Sequence, residues 1–155
     1  VEQSLNWRNL SDSPNLLLQK FPADNFTVTS KMTFTPNPQL KEKGESAGLM
    51  VMGLDYFAMK MVDTEKGVVL QAVNCKDALE GSAEQILCTI PLKSEAVTIP
   101  YSDKYMSTTV PPVAPLSYTE TTVYLKIKVR TRERKGNVPD AVCSFAYSLA
   151  TCKFL

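Results

Sequence analysis

The stretch Thr121-Thr-Val-Tyr-Leu-Lys-Ile-Lys-Val-Arg130 alternates residue by residue between apolar and polar side chains. Val123, Leu125, Ile127 and Val129 fall on one side; Thr122, Tyr124, Lys126, Lys128 and Arg130 fall on the other. Successive side chains of an extended chain point to opposite faces, so this pattern is a strand with one dry face and one wet face. Upstream, Phe26, Val28, Met32 and Phe34 alternate in the same way with Thr27, Thr29, Lys31 and Thr33. Further strands are expected over Tyr56–Val62, Gly67–Cys75 and Glu84–Ile90, joined by connections short enough to force antiparallel hairpins. In the last strand, Ala141–Leu149, Cys143, Phe145 and Tyr147 lie opposite Ser144, Ala146 and Ser148. The run Ala47–Leu54 is apolar on both faces and reads as a central strand. The methionines Met50, Met52, Met59 and Met61 sit at strand positions and are expected to fill a core.

No stretch shows the recurrence of a long amphipathic helix, and Asp77–Gln85 has room for a turn or two at most. Tyr101–Thr119, with Pro111, Pro112 and Pro115, reads as a long excursion between strands. Seven or eight strands that each carry a dry face must bury those faces against one another. The expected fold is therefore all-β, a two-sheet antiparallel sandwich of jelly-roll type. At 155 residues the chain is sized for one domain over residues 1–155.

Composition excludes several functions. With 17 Lys and Arg against 16 Asp and Glu, the formal net charge of +1 gives no global field for nucleic acid or an anionic membrane, and neither is an expected partner. Histidine is absent, which removes Ser-His and Cys-His nucleophiles and His-ligated zinc. No apolar run reaches the roughly 18 residues that span a bilayer as a helix. Cys75, Cys88, Cys143 and Cys152 contain no CxxC pair, so sulfur-bound metal is not expected. Cys75 and Cys88 could bridge a hairpin base if the register sets them opposite each other; buried free thiols are the plainer reading.

Three stretches taken together, Ser13-Pro-Asn-Leu-Leu-Leu-Gln-Lys-Phe-Pro-Ala23, Ala47-Gly-Leu-Met-Val-Met-Gly-Leu-Asp-Tyr56 and Cys143-Ser-Phe-Ala-Tyr-Ser148, resemble a known family. It is the C-terminal concanavalin-A-like sandwich of family-43 glycoside hydrolases, the β-xylosidases and α-arabinofuranosidases of plant cell-wall breakdown. Asn74-Cys-Lys-Asp-Ala78 and Thr122–Val129 fall in the right order for it. The resemblance implies a non-catalytic accessory module, secreted or periplasmic. It would pack beside a catalytic propeller domain or bind plant cell-wall oligosaccharide for it. Where relatives follow Tyr147-Ser with an Asp-Gly turn, this chain has Leu149-Ala-Thr-Cys, and a module shortened at one or both ends is expected. No cofactor is expected, and nothing in the sequence indicates the structural calcium that such a sandwich can carry.

Glycoside hydrolysis needs two carboxylates across a cleft, and Asp55, Asp63, Asp77 and Glu120 are the available ones. Three of them have a structural reading: Asp55 in the turn before Tyr56, Asp63 in the turn before Gly67, Asp77 in a polar loop or capping Ala78–Glu80. No catalytic residue is assigned. Glycan binding needs exposed rings to stack on sugars and amides to bond hydroxyls. Tyr56, Gln71, Tyr124 and Trp7 are the candidates, each with a packing role as the alternative. A free-standing glycosidase using a carboxylate pair and a lectin-like module are the rival readings. The run Arg130–Lys135 lacks interleaved aromatics and reads as a solvated hairpin end.

Overall fold

The computed structural model describes residues 8–39, 43–99, 116–132 and 140–149. Eight strands run through these residues: β1 (Asn25–Phe34), β2 (Ser46–Met52), β3 (Tyr56–Thr64), β4 (Gly67–Cys75), β5 (Gln85–Pro91), β6 (Glu95–Ile99), β7 (Leu116–Arg132) and β8 (Asp140–Ser148). Two 3₁₀ turns, Leu10–Asp12 and Ala78–Glu80, are the helical elements among them. One sheet is the meander β2-β3-β4-β5; the other gathers β1, β6 and β8 around β7, and every pairing is antiparallel. β1 pairs with β7 over Thr121–Arg130 and β8 over Tyr124–Arg132, so these two must take opposite edges of β7. The expected two-sheet antiparallel sandwich is the fold of the protein.

The alternation that defines β7 also sets the core. Val123, Leu125, Ile127 and Val129 are buried, and Val123 and Leu125 pack against Met59, Met61, Val68, Leu70 and Ala72 of the facing sheet. Phe57 and Phe145 meet across the gap with ring centroids 4.2 Å apart. The turn between β3 and β4 is a two-residue hairpin in which Gly67 takes φ +107, a conformation that glycine adopts without steric cost.

Several expectations are corrected. β2 is not a central strand: it lies at the edge of its sheet and bonds to β3 alone among the described strands. Its two apolar faces arise because Leu49 packs into the inter-sheet core while Met50 and Met52 pack on a second cluster behind the sheet. Leu116–Thr119 belongs to β7, where it pairs with the short strand β6, and is not part of an excursion; the rest of that excursion lies outside the described residues. Asp63 is within β3 and buried, not in the turn. Cys75, Cys88 and Cys143 are free thiols, but only Cys75 is buried, Cys143 is half-buried and Cys88 is exposed. The β4–β5 register sets Cys88 opposite Ala72, three residues from Cys75 and on the other face, so no bridge can form between them. Burial pushes the Cys143 thiol up in pKa. Cys152 lies outside the described residues.

Leu70 is fully buried at the centre of the shared core. Leu70→Ala should cost about 2–5 kcal/mol in urea denaturation, with Thr29→Ala on the exposed outer face staying within about 0.5 kcal/mol.

Candidate functional site

The second face of the β2–β5 sheet is not left to solvent. Tyr56, Ala58, Val73, Cys75 and Ala78 form a buried cluster there, joined by Leu10, Met50 and Met52. The segment before β1 closes over it through a buried amide: Asn9 Nδ2 donates to the carbonyls of Ala78 and Ser82, at 2.8 Å each, while Asn9 Oδ1 accepts from the Ser11 N–H and so caps the first 3₁₀ turn. Outside this joint, Arg8 and Asp12 form an exposed pair at 3.0 Å, and the hydrogen bond from Arg8 holds the Asp12 carboxyl below its usual range. Gly81 has φ +86, and a Cβ there would run into the Arg8 guanidinium.

Between this segment and the sheet lies a cleft of ≈ 630 Å³, with Asn15, Ser46, Met50, Lys60 and Glu84 in its lining. Its polar centre is a three-residue cluster. Glu84 accepts from Tyr56 Oη at 2.6 Å through one oxygen and from Lys60 Nζ at 2.5 Å through the other. The Tyr56 hydroxyl in turn accepts from the Leu10 N–H at 3.0 Å, linking the cluster to the covering segment. Lys60 and Glu84 side chains are only 15% and 18% exposed, so each charge depends on the other for compensation. Burial, and then the hydrogen bond to Glu84, raises the Tyr56 pKa far above its ordinary value.

The carboxylates that line the cleft are already engaged by neighbouring groups. Both oxygens of Glu84 are engaged, and Glu45, also in the lining, accepts from the Asn37 N–H at 2.7 Å. Asp55, Asp63, Asp77 and Glu120 are not in the lining. Asp55 accepts from the Asp77 N–H at 2.9 Å, fulfilling its turn role, and Asp63 pairs with Lys43 at 2.8 Å. Asp77 occupies the cap position of the second 3₁₀ turn with φ 51 but makes no side-chain cap bond. Glu120 stands opposite Glu95 on β6. Among the described residues no group of three or more Cys, Asp or Glu is placed to hold a metal ion.

The four glycan-binding candidates do not converge. Tyr56 is corrected from an exposed ring to a buried one, 3% accessible, because the segment carrying Leu10 covers it. Gln71 lies opposite Lys60 and Thr89 on the face away from Val68 and Leu70, as the alternation requires. Tyr124 is on the far side of the sandwich, opposite Lys31 and Ser148, so Gln71 and Tyr124 cannot serve one site. Trp7 lies outside the described residues. Alternation alone does not single out Lys60 and Glu84, although a lone lysine within Tyr-Phe-Ala-Met-Lys-Met-Val is a signal that a partner carboxylate waits nearby.

The two-sheet sandwich agrees with comparison to known proteins. Residues 3–154 match the family described as the β-xylosidase C-terminal concanavalin A-like domain. The chain belongs to that family. No curated protein and no solved structure matches the chain. In this member of the family, the Tyr56–Lys60–Glu84 cluster ties the covering segment to the sheet.

A group whose folded pKa is raised contributes stability that is present below its unfolded pKa and lost as pH rises past it. The Tyr56 hydroxyl therefore predicts a stability that declines as pH climbs above about 10, the unfolded tyrosine value. Tyr56→Phe should lower stability at pH 7 by about 1–3 kcal/mol, through the orphaned Glu84 oxygen and Leu10 N–H. It should also flatten that alkaline decline, as read by denaturation at stepped pH.

Proposed function

We propose that the chain is a non-catalytic accessory module of a family-43 glycoside hydrolase acting on xylan- or arabinan-type polysaccharides, and that it packs against the catalytic propeller of that enzyme. The supporting observation is an apolar groove of ≈ 920 Å³, whose lining includes Leu16, Leu17, Leu18, Phe21, Val28 and Ile127. Leu17 is 99% exposed, Leu18 60% and Phe21 47%. The edge-to-face contact of Phe21 with Phe26, at 5.1 Å between centroids, anchors this stretch to β1 and leaves the leucines facing outward.

A contiguous apolar patch of this kind marks a protein interface, since water gains by its removal. The family to which the chain belongs is the C-terminal part of β-xylosidases, which makes the enzyme's catalytic domain the natural occupant. The role is then positional: the module stiffens and shields the enzyme while the propeller supplies both catalytic carboxylates. An enzyme acting on wall polymers meets them outside the cytoplasm, so the parent is secreted or periplasmic.

The purified chain should show no turnover of nitrophenyl β-xyloside or α-arabinoside. Added to a family-43 catalytic propeller, it should raise that domain's thermal midpoint, and Leu17→Ser with Leu18→Ser should abolish the rise. Turnover by the isolated chain, or a midpoint shift indifferent to the two leucines, would overturn the proposal.

A further inference from the structure

The outer face of the β7 sheet has a different chemistry. On the face of β7 turned away from the core, Tyr124, Lys126, Lys128, Arg130 and Arg132 stand at alternate positions, about 7 Å apart along the strand. The β1 register sets Lys31 beside Tyr124, Thr29 beside Lys126 and Thr27 beside Lys128. On the other side, β8 places Ser148, Ala146 and Ser144 next to the same row. Between the levels of Thr122 and Arg130 the three strands contribute no carboxylate to this face. Lys31, Lys128 and Arg130 are exposed, and among the described residues none of them forms an ion pair. A net charge of +1 over the chain thus coexists with a locally cationic face.

We propose that this face binds carboxylated polysaccharide, with Lys31, Lys128 and Arg130 meeting uronate groups and Tyr124 with its flanking threonines meeting sugar rings and hydroxyls. Charge complementarity selects a polyanion, and the short side chains select which one. Thr27, Thr29, Thr33 and Thr122 offer hydroxyl donors and acceptors to a sugar chain lying flat, and Thr33 and Thr122 already bond each other at 2.8 Å. Duplex nucleic acid is read by an element that enters a groove, which a flat sheet of threonines cannot do. Single strands call for successive stacking rings, and this face has one tyrosine. The inference rests on the reading that the chain serves a polysaccharide hydrolase, but it concerns a surface separate from the leucine groove.

The test is affinity electrophoresis of the intact chain through gels containing polygalacturonate, neutral arabinoxylan or duplex DNA, at stepped salt. Polygalacturonate should retard the chain, less so as salt rises, while arabinoxylan does not. Lys128→Gln with Arg130→Gln should lower the slope of log affinity against log salt by roughly 1.4, about 0.7 for each cation removed from a single-stranded polyanion. Lys66→Gln with Lys93→Gln, which removes the same charge from exposed loop positions elsewhere, should leave retardation unchanged. Equal loss in the two double variants, no salt-dependent retardation, or DNA bound as tightly as polygalacturonate would overturn the proposal. If retardation fails while the leucine-dependent stabilisation of the propeller persists, only this face is refuted. Retardation without that stabilisation refutes the packing role instead.

Discussion

Everything in this molecule depends on the burial of two apolar sheet faces against each other along β7. That strand is 17 residues long and holds three partners, while its inner side chains meet Met59, Met61 and Leu70 of the opposing sheet. Apolar contact of this kind has no direction of its own, and the register of the ladders is what turns it into a specific structure, because a slip by one residue would send Val123, Leu125 and Ile127 into water. The same register decides the outside. With the aliphatic residues pinned inward, the lysines and Arg130 have only one face to occupy.

A second constraint acts behind the β2–β5 meander. Its outer face is also dry around Tyr56 and Val73, so a third layer must cover it, and the segment around Asn9 and Leu10 does so. Polar groups trapped in such a joint have to satisfy one another. Glu84, Lys60 and the Tyr56 hydroxyl do this with two short bonds, and Asn9 does it with two carbonyls. The result is a carboxylate that holds the covering segment and the sheet together through one bond to each of its oxygens.

The division between what could and could not be read from the chain follows from this layering. Alternation is a local property, and it located β1, β3, β4, β5 and β8 to within a few residues of their ends, and β7 from Thr121 onward but not its Leu116–Glu120 extension. Burial of the second face of a sheet is not local. Tyr56 sits in a turn-proximal position that looks exposed until a segment some 46 residues away donates to its hydroxyl. The both-faced apolarity of β2 likewise has two readings, flanking strands or flanking layers, and only the tertiary arrangement separates them. β6 is five residues long and escaped notice because a strand so short carries barely two turns of the period. The cationic face was visible as a pattern in Thr121–Arg130, but its breadth came from β1 and β8 being laid beside it.

Membership of the β-xylosidase C-terminal family gives these surfaces a common setting. The groove beside the leucines lies on the inner side of the β7 sheet, with Val28 and Ile127 in its lining, and the row of cations and hydroxyls lies on the outer side, so one sheet keeps both in fixed relation. The shared core is the premise for all of it, and amide hydrogen exchange on the intact chain, resolved strand by strand, tests it most directly. If one apolar layer joins the sheets, β7 exchanges as slowly as β3 and β4 and opens together with them. Protection confined to β3 and β4, with β7 exchanging freely, would contradict a shared core.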